Sequence, residues 1–253
     1  MKHLPNILTL GNLFFGCMAI VYILHAQPFL STMNGEQYWV SGTEQVRMAS
    51  IFIALAALCD VFDGMAARWL GVSSPLGKDL DSLADVVSFG VAPSMILFKM
   101  LWASWMLSPK AIDVSMWAMC PALLIACFGA LRLARFNNSP SNTSFFTGVP
   151  IPAVGLLIAS FPYINFYNTW HVGFLFQHAW FLYIMIGILC WLMVSKLSLF
   201  TIKFSDFSIK KYRLQLIWFA MSLICVFIFQ FLAIPIAFIL YILLSIFYKP
   251  KTT

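Results

Sequence analysis

The sequence predicts an all-α protein, a polytopic membrane helix bundle of about eight transmembrane helices. Three observations lead there. Apolar or aromatic residues make up 62% of the 253 positions and charged residues only 9%. The apolar residues fall in runs close to the roughly 20 residues that one span needs. Soluble domains carry about 25% charged residues, and neither a soluble globule nor a disordered chain could hold this much apolar surface.

The runs lie at about 7–25, 46–70, 80–106, 114–136, 149–168, 175–198, 212–230 and 232–248. The first follows Lys2 and His3, contains Asn6 and Asn12, and lacks a small-x-small cleavage site. It therefore reads as a retained helix and not a signal peptide. Between the second and third runs stands Gly71-Val-Ser-Ser-Pro75, a glycine to stop one helix and a proline to start the next. Pro150, Pro152 and Pro162 predict an irregular fifth span, and Pro235 sits near the turn between the last two. Runs so close together form one membrane domain over 1–253. The six cysteines all sit in apolar runs without metal-ligand spacing and read as reduced packing residues.

The net charge of +6 forms no soluble basic face, which argues against a nucleic-acid partner. With eight spans, both termini and the 2–3, 4–5 and 6–7 connections share one side. That side holds 12 of the 15 basic residues, leaving Arg47, Lys99 and Lys110 opposite. The asymmetry predicts a cell-membrane (inner or cytoplasmic membrane) protein with both termini and the Gly71–Pro75 turn in the cytoplasm. Ser198 to Arg213, with four basic residues, is expected on the anionic leaflet surface.

The chemistry is concentrated in one place. Of nine acidic residues, five lie between positions 60 and 85: Asp60, Asp63, Asp79, Asp81 and Asp85. A carboxylate inside a span costs about 2.5–3.5 kcal/mol, so four of them cost on the order of 10 kcal/mol unless something neutralises them. Asp60 and Asp63 are three apart and share a helix face; Asp81 and Asp85 are four apart and share another. Both pairs stand equally far from the turn, which brings them to one depth on antiparallel helices. Four converging carboxylates suit hard divalent cations, Mg²⁺ or Mn²⁺, two ions being expected. Gly64, Ala67 and Gly77 leave room for a bulky ligand at the backbone, and Arg68 adds a cation suited to phosphate. Asp79 points about 200° away from Asp81 around the helix.

The pattern Asp60-x₂-Asp63-Gly64-x₂-Ala67-Arg68-x₈-Gly77-x₃-Asp81-x₃-Asp85 resembles, position for position, the signature of the CDP-alcohol phosphatidyltransferase family. The resemblance implies a six-helix core, here 5–200, with two additional C-terminal helices over 212–248, and a homodimer. It also implies transfer of a phosphatidyl or similar group from a CDP-linked lipid to an alcohol, with release of CMP. Further stretches resemble the family's bacterial and archaeal phosphatidylserine synthases. They are Pro5-Asn6-Ile-Leu-Thr9-Leu-Gly-Asn12, Asp81-Ser-Leu-Ala-Asp85-Val-Val-Ser88-Phe89-Gly90, Arg132-Leu-Ala-Arg135-Phe136-Asn137, and Phe146-Thr-Gly148-Val-Pro150-Ile-Pro152-Ala153, the last with Val149 where leucine is expected.

The resemblance implies CDP-diacylglycerol as donor and L-serine as acceptor. Asn6 and Thr9 join Gly64, Ala67, Arg68 and Gly77 as CDP-lipid contacts, and Asp85 becomes the general base as well as a metal ligand. Arg132 and Arg135, three apart on one helix, are candidates for the serine carboxylate, with Ser88 and Asn137 as neutral partners. Glycerol 3-phosphate, inositol phosphate and choline-type alcohols are the rival acceptors, and an ether-lipid donor is the rival donor. A membrane prenyltransferase would carry its two aspartate motifs on widely separated helices. An ion-coupled transporter would spread its acids over several helices or the midplane.

Overall fold

In the computed structural model, residues 3–27, 29–33, 36–40, 42–72, 74–107, 111–138, 146–199 and 213–247 are described. The helices are α1 (Leu4–His25), α2 (Thr43–Leu70), α3 (Pro75–Asp85), α4 (Ala92–Met106), α5 (Leu124–Asn137), α6 (Ile151–Tyr167), α7 (Ala179–Val194), α8 (Arg213–Phe229) and α9 (Ala233–Phe247). A π-helical turn, Val86–Val91, joins α3 to α4 in one continuous rod. The all-α class holds, with two small additions in the connections. Phe29–Met33 (β1) pairs antiparallel with Glu36–Val40 (β2), and Phe146–Thr147 (β3) with Ser198–Leu199 (β4).

Among the described residues, five stretches are long and apolar enough to cross a membrane: Leu4–His25, Thr43–Leu70, Pro75–Met106, Met116–Asn137 and Ile217–Ile246. The last is in fact a hairpin. A short 3₁₀ turn at Gln230–Leu232, with Gln230 at φ 50°, reverses the chain. Trp218 Nε1 then donates to the Ala237 carbonyl at 2.9 Å, and its ring meets Tyr241 edge-on at 6.0 Å. The turn precedes Pro235, which falls in the first turn of α9, where its missing N–H has no helical partner to lose. Helices α6 to α9 have 15 to 17 residues each. Each is therefore shorter than the apolar run that predicted it.

Two other expectations are modified. The fourth run begins as 3₁₀ turns, Met116–Ala118 and Cys120–Leu123, and becomes α-helical only at Leu124. Pro121 supplies no N–H there. The fifth run is regular despite its prolines, because Pro150 caps α6 and Pro152 lies in its first turn; only Pro162 is internal. Most of Ser198 to Arg213 lies outside the described residues. All six cysteines are free, as expected.

Burial follows periodicity. The covered face of α1 is Pro5, Thr9, Asn12, Gly16, Ala19 and Ile23, alternating steps of four and three that make one stripe. That stripe packs along α2 and also against α3 and the π turn. Helix α6, apolar all round, is the central post, with Val154, Leu157, Ile158, Phe161 and Ile164 buried. At the opposite end from the acidic cluster, Lys99 on α4 donates to the carbonyl of Ala26, the C-cap of α1, at 3.3 Å. A cation there complements the negative end of the α1 dipole.

The π turn has an identifiable cause. Pro93 has no N–H to return to Phe89, and the Ala92 N–H instead reaches the Val87 carbonyl, five residues back. The neighbouring helices meet this widened turn with glycines. A Cβ on Gly155 of α6 would stand 3.0 Å from Phe89 Cα, and one on Gly16 of α1 would stand 2.8 Å from Ser88 Cα. Close helix approach of this kind is the usual use of small residues in membrane bundles. It fixes the rod immediately beyond Asp85.

Candidate active site

Two helix ends and the turn between them position the acids. Gly71 terminates α2 in the left-handed conformation, φ 61° and ψ 27°, its N–H returning to Ala67 and Arg68 carbonyls. Ser74 caps α3, its Oγ accepting the Gly77 N–H at 3.0 Å, and Pro75 opens the helix. At about 1.5 Å rise per residue, Asp63 lies about 10 Å from the end of α2 and Asp81 about 9 Å from the start of α3. The two acids therefore meet at one depth. Asp60, Asp63 and Asp81 each offer a carboxylate oxygen, and these oxygens lie within 4.8 Å of one another.

Helix α1 supplies the third wall. Thr9 Oγ1 donates to Asp63 Oδ2 at 2.6 Å, with the Pro5 carbonyl a longer alternative at 3.0 Å. Asn12 Nδ2 donates to Asp85 Oδ1 at 3.2 Å, and the Asn12 carbonyl accepts from Ser88 Oγ at 2.9 Å. Asp63 and Asp85 are only 6% and 7% exposed. Asp85 stands one turn deeper than Asp81, outside the three-carboxylate set but within electrostatic reach of all three.

A cavity of about 230 Å³ opens beside this cluster. Asn6, Thr9, Gly64, Ala67 and Gly77, all expected to face the CDP-lipid, line it together with Asp63 and Asp81. Gly77 is close to the limit of space: a Cβ there would lie 3.1 Å from Ser74 Oγ and 3.2 Å from Asn6 Oδ1. Arg68 is exposed and outside the lining, with Nη1 3.9 Å from where a Gly64 Cβ would sit. Asp79 is exposed on the other side of α3, as its angular offset requires.

The residues expected at the acceptor separate from one another. Arg132 is 8% exposed, with Asp85 and Tyr241 as its electrostatic neighbours, and its Nε is buried without a hydrogen-bond partner. Arg135, one turn on, is exposed. Ser88 is fully buried in the α1 contact, and Asn137 Nδ2 donates to Ser82 Oγ at 2.8 Å. Neither lines the cavity. Sequence reasoning missed Asn12 and Lys78, the latter counted only as a charge near the membrane. The signal for Asn12 was present, since it continues the Pro5–Thr9 stripe by one step of three.

The donor set fits hard divalent ions: oxygen ligands only, three of them close enough to share an ion, with a hydroxyl donor fixing one carboxylate.

Comparison with known proteins agrees. The chain is 36% identical over 165 residues to the CDP-diacylglycerol–serine O-phosphatidyltransferase of Bacillus subtilis, covering 64% of this chain and 78% of that protein. It is 35% identical over 157 residues to the Helicobacter pylori protein of the same name, covering 61% of this chain and 54% of that one. It is 36% identical over 129 residues to the archaetidylserine synthase of Methanothermobacter thermautotrophicus, covering 50% and 51%. The chain thus spans most of the first relative and about half the length of the other two. The sequence model of the CDP-alcohol phosphatidyltransferases matches residues 2–247, nearly the whole chain. With the signature aspartates gathered at one depth and that match running from end to end, the chain belongs to the CDP-alcohol phosphatidyltransferase family.

Proposed function

We propose that this integral membrane protein transfers the phosphatidyl group of CDP-diacylglycerol to the hydroxyl of L-serine, giving phosphatidylserine and CMP. The observation that carries the reading is the convergence of Asp60, Asp63 and Asp81 beside a cavity walled by Gly64, Ala67 and Gly77, with buried Asp85 one turn deeper. The names of the relatives supply serine as the acceptor.

Asp60, Asp63 and Asp81 would hold Mg²⁺ or Mn²⁺, with Asp85 available to a second ion. Such ions neutralise a diphosphate, polarise phosphorus and stabilise departing CMP. The remaining chemistry falls to the chain. Asp85, oriented by Asn12, accepts the serine hydroxyl proton. The serine oxygen then bonds to the phosphorus bearing the diacylglycerol, and the bond from that phosphorus to the CMP oxygen breaks. Asn6 and Thr9 line the cavity that would take the CDP-linked donor, and exposed Arg68 stands one turn beyond Gly64, outside the lining.

Of the two arginines, buried Arg132, in electrostatic reach of Asp85 and outside the cavity lining, is the candidate for the serine carboxylate. A guanidinium this buried is unfavourable unless paired, and a carboxylate would engage it bidentately. Exposed Arg135 lies toward the helix end, while Ser88 and Asn137 support the surrounding helices. The basic asymmetry of the sequence supports a cytoplasmic site and cytoplasmic termini, and a homodimer accords with the family.

The test is CMP release by purified protein given CDP-diacylglycerol, Mn²⁺ and a panel of serine, glycerol 3-phosphate and inositol phosphate. Serine alone should drive release; release with another acceptor and none with serine would overturn the assignment. Arg132→Lys should raise the serine KM by about 10- to 150-fold, the worth of one charge-assisted bond, with donor binding intact. Lost donor binding with unchanged serine affinity would remove Arg132 from the acceptor site.

A further inference from the structure

Lys78 is no part of the aspartate signature, yet it lines the same cavity as Asp63 and Asp81. Among the described residues that line this cavity, it alone carries a cation. Its position is set by a closed ring of contacts. Ser82 Oγ donates back to the Lys78 backbone carbonyl at 3.1 Å, Asn137 Nδ2 donates to Ser82 Oγ at 2.8 Å, and Lys78 Nζ donates to the Asn137 backbone carbonyl at 3.4 Å. The ring ties the first turn of α3 to the last turn of α5.

The ammonium contact is the loose member. At 3.4 Å it lies beyond the usual 2.7–3.2 Å of N–H···O bonds, and an ammonium has three protons to give. A cavity edged by carboxylates repels a diphosphate, so a cation on the same wall is needed beside any metal. Lysine suits that task, since it meets phosphate as a point charge on a flexible stem.

From this geometry we propose that Lys78 binds the diphosphate of the CDP-linked donor. Asn137 is then a positioning residue, its side chain acting on Lys78 through Ser82 and making no contact with the acceptor. The proposal rests on the donor assigned above but not on the identity of the acceptor.

The experiment is titration calorimetry of the purified full-length protein with CDP and Mn²⁺ in detergent, without serine, and with cytidine as the phosphate-free control. Lys78→Gln should weaken CDP about tenfold and leave cytidine unchanged, while Lys78→Arg keeps most of the affinity. Asn137→Ala should weaken CDP in the same direction by a smaller factor, without raising the serine KM. CDP affinity unchanged in Lys78→Gln, or CDP and cytidine weakened equally, would overturn the role of Lys78. So would an effect confined to activity in phosphatidylglycerol vesicles, which would make Lys78 a headgroup anchor. A higher serine KM in Asn137→Ala with unchanged CDP binding would return Asn137 to the acceptor site. Failure of the wild-type protein to bind CDP would instead remove the donor reading itself.

Discussion

Replacing Asn12 separates catalysis from stability. Asn12 is fully buried, and Nδ2 makes one side-chain bond, 3.2 Å to Asp85 Oδ1. Its Oδ1 is buried with no partner. Alanine therefore removes one bond to a carboxylate, worth about 1.5–3 kcal/mol, and at the same time removes an unsatisfied oxygen that costs about 1–3 kcal/mol. The two terms oppose one another and are of similar size, so Asn12→Ala should leave folding stability within about 2 kcal/mol of wild type. The backbone bond from Ser88 Oγ to the Asn12 carbonyl is untouched. Catalysis has no such compensation. Asp85 loses the group that orients it, and kcat should fall by about 10- to 150-fold with little change in the KM for CDP-diacylglycerol. Asn12→Asp is the sharper variant, because it sets a carboxylate where Asp85 had a donor; its kcat should fall further. The assay is CMP release at saturating serine, with thermal unfolding in the same detergent. A kcat within about twofold of wild type in Asn12→Ala would refute the orienting role.

Two further outcomes follow from the same geometry. Asp60→Asn, Asp63→Asn and Asp81→Asn should each abolish transfer, and chelation should do so reversibly, whereas exposed Asp79→Asn should keep most of the activity; equal loss at Asp79 and Asp81 in the CMP-release assay would contradict the convergence. A cysteine placed at Ser74 in a background lacking the native cysteines should react with a membrane-impermeant reagent only from the cytoplasmic face; labelling from outside intact cells would reverse the orientation.

Much of this protein was legible before any tertiary structure was in hand. Apolar runs located the helices, because a backbone in lipid must satisfy its hydrogen bonds within a helix, and that leaves a long apolar segment as its mark. Gly71 and Pro75 marked the turn, since a left-handed cap and a missing N–H are local properties. The spacings of Asp60 with Asp63 and Asp81 with Asp85 put each pair on one face, and equal distance from the turn put both at one depth. What spacing could not decide was rotation and partnership. Asp85 stands apart from the other three because Asn12 on α1 holds it, a contact across 73 positions. Arg132 and Arg135 read as equivalent on one helix, yet one is buried beside Asp85 and the other exposed, since α9 folds back to place Tyr241 near Arg132. Lys78, exposed on α3, looked like one more charge at the membrane surface until α1, α2 and α3 came together in a cavity that it edges. Local chemistry along the chain determines where helices begin, end and carry charge; which faces meet depends on packing among distant segments, and only the assembled bundle contains that.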